Sequence, residues 1–373
     1  MKKITLYISL FVFVAALSLS VAFGQTPSYR KPALENKDSW SMIMIPDIQN
    51  YVKWGRNQPI LELMTAWIEE NIDTLNIRMV VCVGDLVQNN EKITTDYDGD
   101  QSTQRQWEAA SGAFDRLNGK VPYIAATGNH DYSVDREGNR TSRYNEFFPV
   151  DKNFLNGKYL VQNSRDEQGQ QTLANSAYEL KNLNGRDYLF MTIEYAPRDT
   201  VIQWAKKVAA MDQYKNHRIV LITHSYLNPK DELGAKQNTW LLWEPYQVDG
   251  KILKSKSIPL PASNNGQQIW EKLVKPAGNI EMVLSGHFAG EGYKEGTNDF
   301  GKPVHQILFD AQSMGGGGRS GNGGDGWLRI LEFYPDNKTV SVRTFSPLFG
   351  ASPTTQEHAW KTDARNEYTV SFD

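Results

Sequence analysis

Five short clusters in this chain carry the residue types that hold divalent metals, in the order Pro46-Asp47-Ile48-Gln49, Val83-Gly84-Asp85, Gly128-Asn129-His130-Asp131, Thr223-His224 and Ser285-Gly286-His287. Oxygen donors mixed with imidazoles suit Mn, Fe or Zn, whereas an all-oxygen set would suit Mg or Ca. Taken singly, each residue has a plainer explanation: Asp47 as a helix cap, Gly84-Asp85 as a turn, His224 as a satisfied core histidine. Order and context argue against those readings, because every cluster directly follows an apolar run.

Those runs, Met42 to Ile45, Met79 to Val83, Tyr123 to Ala126, Ile219 to Thr223 and Ile280 to Leu284, read as buried strands. Ligands gather at the carboxyl ends of strands in open layered sheets, so the five clusters share one rim. Ile60, Leu63, Met64, Trp67, Ile68, Ile72 and Leu75 recur at helical spacing and give one apolar stripe. Asn184-Gly185 separates Ala177–Leu180 from Tyr188–Ile193, and Pro335-Asp336-Asn337 separates Leu328–Phe333 from Val340–Phe345; both read as hairpins, so the sheet is expected to be mixed. The segments 94–102, about 131–175 and about 229–263 lack periodicity and read as inserted loops. The glycine run from Gly315 to Gly324 lacks the Lys-Ser/Thr ending of a phosphate-binding P-loop and reads as a surface loop.

At the N-terminus, Lys2 and Lys3 precede an apolar run from Ile8 to Leu17 and small residues around Ala22 and Gly24. This reads as a secretory signal peptide over 1–24, shorter than the ~20 apolar residues that span a bilayer. The remainder, 25–373, is expected to be one domain, secreted or periplasmic, with no membrane span after signal removal. Cys82 is the only cysteine, so there is no internal disulfide, and its apolar neighbours make it a buried hydrophobe. With 40 basic and 43 acidic residues there is no basic excess for nucleic acid as the main partner. Oligomeric state has no signal in the sequence.

The five clusters resemble the motifs of the calcineurin-like metallophosphoesterases, written DxH, GDxx(D), GNH(D/E), H and GHxH, and the match extends over most of the chain. The resemblance implies an α/β fold of four layers, αββα, with two mixed sheets and a dinuclear centre at their edge. Carried over by position, Asp85 bridges two divalent ions, Asp47 with Gln49 holds the first, and Asn129, His224 and His287 hold the second. His130 stands beside them as general acid, with Asp131 orienting its ring. The implied reaction is hydrolysis of a phosphate ester, monoester or diester, by in-line attack of an activated water. Two residues depart from the pattern: Gln49 replaces the usual His, and Ala289 occupies the place of the last His of GHxH. A methyl group is no ligand, so the first position is expected to be weak or empty, or completed by water or a nearby carboxylate, with Glu291 the candidate. Arg198, Asn50 and Tyr51 are further candidates for substrate contact. The competing reading is a secreted protein that binds carbohydrate or cell envelope on the same scaffold without turnover, using Trp240 and Trp243. His130 and Asp131 favour the enzyme, because a binding scaffold has no need of them.

Overall fold

Six residues of the strand Trp40–Ile45 are all buried, which a strand achieves only when both of its faces are covered. The period-two alternation explains how: Met42 and Met44 belong to one apolar cluster, Ile43 and Ile45 to another. In the computed structural model, which describes residues 29–372 apart from 92–98, 135–138, 237–238, 243–245, 249–250, 254–255, 261 and 317, this strand lies inside a seven-stranded mixed sheet. It runs parallel to Ile77–Cys82, which is parallel to Tyr123–Ala125, and antiparallel to Leu328–Phe333. Thr339–Phe345 continues the sheet beyond Leu328–Phe333.

A second seven-stranded sheet has the order Gly290–Thr297, Pro303–Asp310, Ile280–Ser285, Arg218–Ile222, Arg186–Thr192, Gln171–Leu183 and Leu160–Arg165. Its four central strands are mutually parallel and its edges antiparallel. Three apolar clusters mark the contacts between four layers. Helices Gln58–Glu70 and Thr103–Asp115 place Leu61, Met64, Trp107 and Phe114 against the outer face of the first sheet. Met42, Met44 and Val81 meet Phe190, Val220 and Leu284 between the sheets. Helix Asp199–Ala209 lays Val201, Ile202 and Val208 on the outer face of the second sheet. The layering is therefore αββα. Trp40 joins the sheets, stacked on Phe333 at 4.0 Å between ring centroids and edge-on to Tyr188 at 4.9 Å.

Both expected hairpins form, and Asn184 and Gly185 take the positive φ values, 51° and 82°, that a tight turn between twisted strands requires. Two inserted-loop readings need correction: the segment 229–263 contains two antiparallel pairs, Thr239–Leu242 with Lys256–Pro259 and Tyr246–Val248 with Lys251–Leu253. The segment 131–175 contains Leu160–Arg165, which pairs with Gln171–Leu183 as the outermost strand of the second sheet. Leu160 and Val161 pack on opposite faces of the sheet, but the rest of this half-buried edge strand, Gln162, Asn163, Ser164 and Arg165, is polar and removed the signal. Residues 1–24 and 94–98 lie outside the described residues, as do Trp243 and the side chain of Trp240. No described helix is long and apolar enough to cross a membrane.

Candidate metal centre

Each expected cluster sits just past the carboxyl end of its strand: Asp47 after Ile45, Asp85 after Cys82, Asn129 after Ala125, His224 after Ile222 and His287 after Ser285. The turns that bring them together are tight. Asp85 and His287 have φ of 51° and 72°, a left-handed backbone that side-chain-bearing residues seldom adopt and that recurs at functional sites. Two motif glycines are required by close approach. A Cβ on Gly128 would lie 2.1 Å from Asp85 Oδ1, and one on Gly286 would lie 2.1 Å from Asp47 Oδ1.

Four donor atoms define one position. Asn129 Oδ1 lies 3.1 Å from His224 Nε2 and 2.7 Å from His287 Nδ1, and Asp85 Oδ1 lies 3.2 Å from His224 Nε2. The donor atoms of Asp85, His224 and His287 all fall within 4.8 Å of one another. His224 Nδ1 is 2.8 Å from the Val83 carbonyl, so a proton held there turns Nε2 to the cluster; burial would lower this imidazole, but Asp85 outweighs it and raises it, so a cation taking Nε2 would displace a proton. Burial, followed by the neighbouring His224, pushes His287 down to about 3, so that imidazole is neutral and available as a ligand. Burial would raise Asp85, but His224 and His130 outweigh it and keep the carboxyl ionised.

The other oxygen of Asp85 faces a second set. Gln49 Nε2 donates to Asp85 Oδ2 at 3.0 Å and to Gln312 Oε1 at 2.7 Å. Gln312 Nε2 donates to Asp310 Oδ2 at 2.7 Å and to Asp47 Oδ2 at 3.2 Å. Asp310 and Gln312 escaped the sequence reading, although Ile307-Leu308-Phe309-Asp310 is one more apolar run ending in an oxygen donor. The polar residues His305 and Gln306 interrupt that run and hid it. Glu291, the expected replacement ligand, is turned elsewhere: its carboxylate pairs with Lys361 Nζ at 3.1 Å and accepts from Asn366 Nδ2 at 3.3 Å.

His130 stands beside both sets, its backbone N–H donating to Asp85 Oδ1 at 2.9 Å. Its Nδ1 is 2.6 Å from the Gln88 carbonyl, so that carbonyl orients the ring in place of the expected Asp131. Asp131 instead accepts from the backbone N–H groups of Gly128 at 2.7 Å and Val87 at 3.0 Å, tying the second motif to the third. Burial, then the neighbouring Asp85, raises the Asp131 carboxyl to about 7.

The model of the calcineurin-like phosphoesterase family matches residues 43–291, more than half of the chain and all five clusters. The chain belongs to that family. Among curated proteins it is 27% identical over 351 residues to the uncharacterized protein YvnB of Bacillus subtilis (strain 168), covering 90% of this chain. The chain spans 22% of that relative's length. Among solved structures, GAP50, the anchor in the inner membrane complex of Plasmodium, has a TM-score of 0.45 at 12% identity, covering 90% of this chain and 89% of its own. The structure of PhoD has a TM-score of 0.44 at 11% identity, covering 92% of this chain and 71% of its own.

Three candidates for substrate contact in this calcineurin-like phosphoesterase are occupied otherwise. Tyr51 is fully buried, and its hydroxyl accepts from Gly326 N at 3.0 Å. Asn50 is buried and donates to the Gln312 carbonyl at 3.0 Å, fixing the loop after Asp310. Arg198 gives its fork to Glu194, Nε to Oε1 at 2.8 Å and an η-nitrogen to Oε2 at 3.0 Å. Glu194 also receives the buried Arg140 at 2.8 Å, and Arg140 pairs with Glu167 at 2.6 Å. Removing one member of a buried ion pair strands its partner, which typically costs about 3–5 kcal/mol. Arg140→Ala is therefore expected to destabilise the chain by about that amount, read as a lower urea midpoint with an unchanged slope. A shift below about 1 kcal/mol would mean the network is solvated.

Proposed function

We propose that this chain is a metal-dependent phosphoester hydrolase, phosphomonoesterase or phosphodiesterase, whose centre is built on Asp85. The observation that carries the proposal is that the two carboxylate oxygens of Asp85 face two different donor sets, as a residue bridging two ions must. The residues fit such ions: Asp47, Asp85 and Asp310 are buried oxygens, His287 is a neutral imidazole, and Gln49 Oε1 is a buried acceptor with no hydrogen-bond partner. When bound, divalent ions at these positions would supply Lewis acidity, lowering the pKa of water and balancing phosphate charge.

The chain's own groups do the rest. Asn129, His224 and His287 hold the second position, and Asp47 and Gln49 belong to the first. His130, its Nδ1 proton held by the Gln88 carbonyl, is placed to carry the moving proton on Nε2 and to protonate the leaving oxygen. Asp131 holds the loop that carries Asn129 and His130. A cavity of about 410 Å³, lined by Tyr195, Ser225, Lys236, His287 and Phe288, opens beside the second position and offers room for the ester. Export of the chain through residues 1–24 is part of the same proposal.

The test is hydrolysis of p-nitrophenyl phosphate and bis-p-nitrophenyl phosphate, with the configuration at phosphorus followed on a chiral phosphorothioate ester. The expected result is turnover on at least one ester with inversion at phosphorus, as a single in-line attack by water requires. Retention, the sum of two inversions, would instead require an enzyme nucleophile. Chelation is expected to have a second effect. Stripping the ions leaves the buried carboxylates uncompensated, so EDTA is expected to lower the melting temperature as well as turnover. An unchanged melting temperature would contradict tight metal binding.

A further inference from the structure

The first position lacks the imidazoles that Gln49 and Ala289 leave out, yet its surroundings are not those of a vacant site. Asp47 and Asp310 are fully buried, and Gln49 and Gln312 are nearly so. The five side chains Asp85, Gln49, Gln312, Asp47 and Asp310 form one chain of contacts at 3.0, 2.7, 3.2 and 2.7 Å. Each of these contacts is an amide N–H donated to an oxygen, so a cation entering here would take the place of those N–H groups as the common partner of the carboxylates. Asp310 is fixed for the task, because its Oδ1 accepts from the Gln312 backbone N–H at 2.9 Å while Oδ2 faces the cluster.

A second observation is independent of the acidic residues. Gln49 Oε1 is a buried amide oxygen without a hydrogen-bond partner, on the amide whose nitrogen touches both Asp85 and Gln312. Leaving such an acceptor unpaired is costly, and a cation beside it would remove the cost. Half a turn of that amide would exchange its nitrogen and oxygen, adding an oxygen to the set.

We infer that Asp310, tied to Asp47 through Gln312, replaces the missing imidazole and makes the first position an all-oxygen site for a hard divalent cation, Mg²⁺ or Mn²⁺. The second position, with two imidazoles, keeps the preference for Zn²⁺ or Fe. The centre is thus built for two different metals. The inference rests on the dinuclear reading above and sharpens it. In the alternative, the amide N–H groups of Gln49 and Gln312 themselves serve as the partners of the carboxylates and no ion enters.

The experiment loads chelator-stripped protein with Zn²⁺ and Mn²⁺, removes unbound metal, and counts both. Wild type is expected to hold one equivalent of each. Asp310→Asn, which keeps the shape of the side chain, is expected to retain Zn²⁺ and to bind Mn²⁺ at least about 100-fold more weakly, the upper end of what a lost supporting group costs. Unchanged Mn²⁺ affinity in that variant would overturn the inference. A measurement on wild type alone covers the case in which the variant fails to fold: electron spin-echo modulation of the bound Mn²⁺ is expected to lack imidazole ¹⁴N coupling. Such coupling, with Zn²⁺ at one full equivalent, would overturn it as well. One equivalent of Zn²⁺ without Mn²⁺ would defeat the inference and leave a mononuclear hydrolase standing, two equivalents of Zn²⁺ would defeat it and leave the dinuclear reading standing, and binding of neither would remove the dinuclear reading too.

Discussion

Asp85→Ala is expected to lower metal-dependent ester hydrolysis by at least about a thousandfold, since the Lewis-acid contribution is worth several kcal/mol and each 1.36 kcal/mol is a factor of ten. The size follows from position. Asp85 Oδ1 contacts His224 and the His130 backbone, Oδ2 contacts Gln49, and the whole side chain is buried at the meeting of both donor sets. Asp47 also reaches both, but it meets the second set only through the His287 backbone N–H. Loss of Asp85 is therefore expected to deplete both metals, read by elemental analysis of the purified variant. Asp85→Asn separates charge from shape: it keeps one oxygen and adds donors, so it is expected to retain the fold while losing most metal. Retention of two equivalents by either variant would mean that Asp85 does not bridge.

His130→Ala is expected to act on rate while sparing metal content. A general acid contributes roughly 10²- to 10⁴-fold, and kcat is expected to fall within that range. The ring's Nδ1 is held by the Gln88 carbonyl, and the hydrogen bond from His130 to Asp85 comes from its backbone N–H, which alanine keeps. The loss is expected to depend on the leaving group. p-Nitrophenolate departs with little help, so its esters should lose least, and alkyl esters with a basic leaving oxygen should lose most. Equal losses on both would place His130 in binding rather than in proton transfer. A loss of metal together with rate would make it a ligand.

How far these residues could be read from the chain depended on whether their strands are covered on both faces. Trp40–Ile45, Ile77–Cys82, Arg218–Ile222 and Ile280–Ser285 are sandwiched between a helical layer and the opposite sheet, so they are almost uniformly apolar and the donors after them stand out. Leu160–Arg165 at the sheet edge carried no such pattern. Pro303–Asp310 was hidden differently. His305 is buried against Phe372, with Nε2 3.2 Å from the Ser371 carbonyl, and Gln306 accepts from the Tyr226 hydroxyl at 2.7 Å. These buried polar groups break the run before Asp310, and Glu291 is the carboxylate nearest in sequence after Ala289. Distance along the chain was the wrong guide, because parallel pairing of Ile280–Ser285 with Pro303–Asp310 brings the carboxyl ends of both strands to the same rim.

The candidates for substrate contact failed for a related reason. Asn50, Tyr51 and Arg198 follow strand ends as the metal residues do, but sequence position does not reveal which way a side chain turns. Asn50 and Tyr51 turn inward to anchor the Gln312 carbonyl and Gly326, and Arg198 turns to Glu194. Their contribution is to hold loops at the rim. The bridging role proposed for Asp85, by contrast, came from the family resemblance of its motif, and the left-handed backbone at Gly84 and Asp85, with φ of 115° and 51°, is a feature of the structure.

The most direct measurement is a reconstitution titration, in which chelator-stripped wild-type protein is resupplied with divalent metal while bound metal and ester hydrolysis are followed together. The account predicts that turnover rises with metal bound, reaches its plateau at two equivalents per chain, and stays absent in Asp85→Ala at every concentration. Turnover that survives complete removal of metal, or full metal loading with no hydrolysis of either a monoester or a diester, would contradict it.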